Sequence, residues 1–160
     1  MRAHFIFLLL LHVVNAIVLH TSGRWIVNPS GQRVKLRCAN WAGHQEASIP
    51  GGLQQQTPAT IAQWLSSDRF NCVRLTFSID MALNPNQRVS DAFTAAGSST
   101  GVGVSAMQNL YNQAVSKNSW LSSATTRGAY ARGIQELEAK GVHDERQPTA
   151  AAEWLCYPFA

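Results

Sequence analysis

Beyond its first sixteen residues the chain has no apolar run approaching the roughly 20 residues that cross a bilayer, so no membrane-spanning domain is expected. Charge is sparse, with Asp, Glu, Lys and Arg together at 14%. The basic residues are scattered rather than clustered, which argues neither for nucleic acid nor for a membrane surface as partner. Cysteine is scarce: Cys38, Cys72 and Cys156 are an odd set that leaves one thiol over or pairs it between chains. No CxxC or Cys/His spacing suggests a zinc site. Asn28-Pro29-Ser30 is not a glycosylation acceptor, because proline occupies the middle position.

What is present begins with a leader. Residues 1–16 carry Arg2 as a positive n-region, a short apolar stretch from Phe5 to Val14, and Val14-Asn15-Ala16 as a cleavage site. This is the pattern of a secretory signal peptide; the apolar run is too short for an uncleaved anchor. The expectation is a secreted, extracellular protein that leaves the membrane on cleavage. Cleavage after Ala16 takes 16 residues from 160 and leaves 144, and loss of Arg2 lowers the formal net charge from +4 to +3. One ordinary domain fits that length, whereas an eight-fold barrel takes about 250 residues. Trp, Asn, Gln, Ser and Thr are plentiful, as suits a secreted carbohydrate-active protein.

Periodicity supplies the elements. Two β-type runs around residues 28–31 read as a hairpin flowing into a longer strand over 32–41. Thr57-Pro58 reads as an N-cap with proline at the first helical position, and Ile61, Trp64 and Leu65 give the helix an apolar stripe. Residues 72–77, CVRLTF, form the clearest strand. Strand, helix, strand is the βαβ unit of a parallel sheet, with a right-handed crossover expected. Residues 80–100 read as a long connection. Met107, Leu110, Tyr111, Ala114 and Val115 mark a second helix. A third, over 125–140, has Tyr130, Ile134 and Leu137 on one face and a Glu136–Lys140 pair at i,i+4; Gly133 weakens its interior and Gly141 ends it.

Cys38 and Cys72 fall in the two strands, where side-by-side neighbours of a parallel sheet are poorly placed for a disulfide; buried free thiols are the expectation. After Val142 another apolar strand is due, but residues 143–160 read HDERQPTAAAEWLCYPFA, a poor strand by both charge and proline.

The hairpin GRWIVNPSGQRV, the strand KLRCANWAG, PGGL in the next loop, FNCVRLTFSIDMAL and the helix LSSATTRGAYARGIQELEAKGV, in that order, resemble glycoside hydrolase family 5, particularly its secreted fungal members related to cellulases. The resemblance covers about residues 21–142. It implies an α/β fold: the N-terminal portion of a TIM (β/α)8 barrel with a leading β-hairpin, cut short before closure. The organisation expected is a signal peptide over 1–16, a partial barrel of two strands and their helices over 17–142, and an aberrant tail over 143–160. A premature stop, a retained intron or a frameshift would each produce such a tail. Two strands cannot close a barrel, so exposed core and non-specific self-association are expected.

The activity that the resemblance implies is retaining hydrolysis of β-linked polysaccharides or glycosides. It uses two glutamates about 5–5.5 Å apart as acid/base and nucleophile, and neither has a matching position here. The family residue that carries over is Arg74, whose counterpart hydrogen-bonds the nucleophile and keeps it ionised; its bland reading is a structural salt bridge. Asn40, Trp41 and His44 follow the first strand, at the end where barrel sites form, and are candidate substrate-binding residues. Trp41 either stacks on a sugar or packs. His44 lies near Glu46, but a solvated loop histidine is the plainer reading. Asp80 either meets a sugar hydroxyl or caps a turn. Trp25, Trp64 and Trp120 read as packing residues. Glu136 and Glu138 lie on an outer helix, and Glu145 and Glu153 in the tail, so none replaces the missing pair. No metal or organic cofactor is implied. The expectation is a hydrolase-family chain inactive as it stands; the alternative is a non-catalytic secreted fragment that binds carbohydrate or a partner.

Overall fold

The computed structural model describes residues 19–43 and 47–144. The leader, His44, Glu46, the tail from Glu145 onward and Cys156 lie outside these residues. Among the described residues no helix is long and apolar enough to cross a membrane.

The chain opens with β1 (His20–Ser22) paired antiparallel to β2 (Trp25–Val27) around Gly23, whose φ of 57° suits glycine. The hairpin thus turns one segment earlier than the sequence suggests. Residues 28–31 make a second turn, in which Gly31 N–H donates to Asn28 O at 2.9 Å, and a Val27–Arg33 bridge follows it. The long strand expected over 32–41 shortens to β3 (Cys38–Trp41). Asn71 holds the lead-in to it: its Oδ1 accepts from Arg37 N–H at 2.7 Å and its Nδ2 donates to Lys35 O at 2.9 Å.

α1 (Pro58–Ser67) starts where the cap signal places it, with Thr57 Oγ1 accepting from Thr60 N–H at 3.2 Å. It leads to β4 (Cys72–Leu75), parallel to β3 and in register with it. Trp64 is a departure, 53% exposed although the periodicity puts it on the apolar stripe. The connection expected over 80–100 contains two helices, α2 (Ile79–Leu83) and α3 (Val89–Ser99). The Ser, Thr, Ala and Gly content of α3 hides its periodicity, yet Val89, Phe93 and Ala96 are buried. Gly97 lets α4 (Val104–Lys117) approach, since a Cβ there would lie 2.6 Å from Val104 Cα. A 3-10 turn, Ser119–Ser122, precedes α5 (Thr126–Ala139).

On α5, Tyr130, Ile134 and Leu137 are buried as the stripe requires. The ion pair differs: Glu136 bonds Arg132 at 2.8 Å, one turn back, rather than Lys140. Gly133 is less a weakness than a contact, because Trp41 and Pro50 pack against its Cα side. Gly141, at φ 70°, ends the helix.

β5 (His143–Asp144) is a correction to the expectation of two strands. It pairs parallel to β4, extending the sheet in the order β3-β4-β5. Backbone pairing does not need apolar side chains once α5 delivers the chain beside β4.

The core lies between this sheet and the helices. Trp41, Val73 and Leu75 project from the strands onto Ala62, Ile134 and Leu137, and Phe93, Met107 and Leu121 extend the cluster. Phe93 and Tyr111 stack tilted, with centroids 5.6 Å apart.

Candidate functional site

In a strand successive side chains alternate between faces. The register Cys38–Cys72, Ala39–Val73, Asn40–Arg74, Trp41–Leu75 therefore sorts these eight residues into two sets. Trp41, Val73 and Leu75 are buried against the helices. Asn40 and Arg74 stand abreast on the opposite face, and both are exposed. Among the residues whose side chains are described, Arg74 is in no ion pair; Arg132 and Glu136 on α5 form one. The guanidinium projects from the open face of the sheet.

Trp41 is a correction to the sugar-stacking reading. It is 8% exposed, its Nε1–H donates to Gly51 O at 2.8 Å, and its ring lies against α5 beside Gly133. The ring alternates away from Asn40 and belongs to the core. Asp80 is exposed in the first turn of α2, where the cap is Ser78, its Oγ accepting from Met81 N–H at 3.2 Å. His44 lies outside the described residues.

The cysteines overturn the free-thiol expectation. Cys38 and Cys72 form a disulfide with Cα atoms 4.3 Å apart, and Cys38 is exposed while Cys72 is buried. Each opens its strand, where the ladder constrains the backbone on one side only, and the common register points both Cβ atoms to one face. That face is the one that carries Asn40 and Arg74.

The segments after β3 and β4 are held together by a residue that sequence reasoning assigns only to packing. The Tyr130 hydroxyl, from α5, donates to Gly43 O and also lies 2.9 Å from Thr76 O. Gly43 N–H donates to Thr76 Oγ1 at 3.3 Å, and Ser48 and Ser78 hydroxyls meet at 3.3 Å. Gly43 has no room for a Cβ, which would collide with Thr76 O and the Tyr130 hydroxyl. The one legible signal for this role is a tyrosine on an otherwise aliphatic stripe, since a buried hydroxyl needs a partner. Replacing Tyr130 by Phe removes the donor that faces both carbonyls, and is expected to cost about 1–3 kcal/mol in urea unfolding. An unchanged midpoint would show that the hydroxyl ties nothing together. A small cleft of about 50 Å³ opens beside these loops, lined in part by Gly43, Ile49, Gln54 and Phe93.

No family model and no solved structure matches the chain. Over 68 residues, 42% of its length, it is 53% identical to a protein of Chamaecyparis obtusa named as a glycosyl hydrolase 5 family protein. The chain is similar to part of a family 5 protein. It spans 12% of that relative's length. The mixed helix-and-strand fold, with parallel strands joined through helices, agrees with the α/β class that the resemblance implies.

Proposed function

We propose that the chain supplies the opening strands and helices of a secreted family 5 barrel, whose complete form hydrolyses β-linked polysaccharides or glycosides with retention. The observation that carries this reading is the parallel β3–β4 pair with Asn40 and Arg74 abreast on its open face, in a chain similar to a family 5 protein. In a closed barrel that face is the interior. There Arg74 would hold a nucleophilic carboxylate ionised and in one orientation, as a guanidinium's fixed fork of donors does. Asn40 beside it would add a neutral hydrogen-bonding group toward the carboxylate or a sugar hydroxyl.

The chain alone is proposed to be non-catalytic. Retaining hydrolysis requires two carboxyl groups about 5–5.5 Å apart. Glu136, on α5, is already paired with Arg132, and Glu138 is exposed on the same helix. Two measurements test the reading. Incubation with cellulose, mixed-linkage β-glucan and mannan should release no reducing ends above a blank, and clear turnover by this chain would overturn it. Sequencing the messenger RNA through the Val142 codon should reveal reads that continue into an apolar strand and later glutamates. Reads that all stop after Ala160 would defeat the barrel reading and leave a non-catalytic secreted fragment.

A further inference from the structure

Four of the 13 Lys and Arg residues lie on the N-terminal hairpin and the segment after it. Residues 19–43 contain Arg24, Arg33, Lys35 and Arg37, and no Asp or Glu. Arg24 and Arg33 converge on one indole: their Cζ atoms lie 4.5 and 3.5 Å from the Trp25 ring centroid. Exposure then alternates along the chain, with Arg33, Lys35 and Arg37 exposed and Val34 and Leu36 half-buried. The three cations therefore share the solvent side of a segment pinned by Val34 N–H to Ile26 O at 2.8 Å and by the two Asn71 bonds. Arg37 also lies over Phe70, with its Cζ 5.1 Å from the centroid. Among the described residues no carboxylate comes within 4 Å of any of the four.

We infer that this row of cations is a docking surface for an anionic polysaccharide, a linear polymer with carboxylates along its length. Each guanidinium can take a carboxylate through two parallel hydrogen bonds, and the three cations recur at every second residue along one side of the segment. That spacing suits a polymer whose charges recur along a chain better than it suits a single small anion. Single-stranded nucleic acid fits less well, because it depends on free aromatic faces for base stacking, and the Trp25 face is engaged by guanidinium groups. The choice of a polysaccharide rests on the family 5 reading. The surface itself lies on the hairpin and lead-in, apart from Asn40 and Arg74.

The test uses the full chain, with polygalacturonate, a neutral β-glucan of similar length and single-stranded DNA as probes. Polygalacturonate should bind and be released by salt, since charge attraction is screened. The Arg33→Gln/Lys35→Gln/Arg37→Gln variant should bind about tenfold or more weakly, with unchanged far-ultraviolet circular dichroism. A second variant, Lys117→Gln/Lys140→Gln, changes charge away from the hairpin and should bind as the parent does. Weakening by both variants in proportion to the charges they remove, three against two, would reduce the effect to net charge and overturn the docking surface, as would tighter binding of DNA than of polygalacturonate. Binding of the neutral glucan alone would overturn the surface while leaving the polysaccharide reading intact. Binding of neither polysaccharide overturns the surface, and the reducing-end and transcript measurements then decide the family reading separately.

Discussion

Replacing both Cys38 and Cys72 by serine is expected to lower unfolding stability by roughly 4 kcal/mol. The bond joins residues 34 apart, and chain-entropy arguments give about that value for a loop of this size. Its location adds to the consequence. It ties the first residue of β3 to the first residue of β4, and this short sheet has few other strand pairs to share the load. Without the cross-link, β3 would be held by its four-residue ladder, by Asn71 to its lead-in, by Trp41, and by the Tyr130 hydroxyl bond to Gly43 just after it. A thermal melt should move down by on the order of 10 °C, and the same shift should follow reduction of the parent protein. A thiol titration of the unreduced, denatured chain supplies the independent check. It should find neither Cys38 nor Cys72 reactive, and two free thiols at these positions would sink the prediction outright.

Leu137→Ala should be of similar size, about 2–5 kcal/mol. Leu137 is fully buried and belongs to the cluster that includes Val73, Leu75 and Val142. It sits at the end of α5, where its carbonyl accepts from the N–H groups of Lys140 and Val142, each at 3.0 Å. Truncation removes three carbons from a region packed by both the sheet and α1, so the surroundings can collapse only partly. The position also governs how the chain enters β5, which begins one residue after Val142. Urea unfolding of the variant measures the loss. A variant within about 0.5 kcal/mol of the parent would mean that the α5 stripe is not packed on the sheet. Leu137→Met, which keeps volume, should cost less than about 1.5 kcal/mol.

Much of the scaffold is legible because its signals are local. Thr57-Pro58 marks the start of α1 through a side-chain bond three residues away, and Gly141 ends α5 through its own backbone angle. Tyr130, Ile134 and Leu137 share a face by helical spacing alone. The α3 helix leaves no such mark, because small and hydroxyl-bearing residues blur its stripe. Its formation depends on packing against α4 through Gly97, a contact between segments. Similarly, β5 is unreadable from charged residues and exists because α5 returns the chain to the β4 edge.

For the candidate site the division is sharper. The ordered motifs around Asn40, Arg74 and the two strands are enough to raise the family resemblance, and strand alternation by itself puts Asn40 and Trp41 on opposite faces. Which face each residue takes is decided by tertiary packing: the helices cover Trp41, Val73 and Leu75, so Trp41 goes to the core while Asn40 and Arg74 are left open. The disulfide and the Tyr130 tie bring together groups 34, 54 and 87 residues apart. Separation of that kind leaves no periodic trace, because the partners are chosen by strand register and helix return and not by sequence spacing.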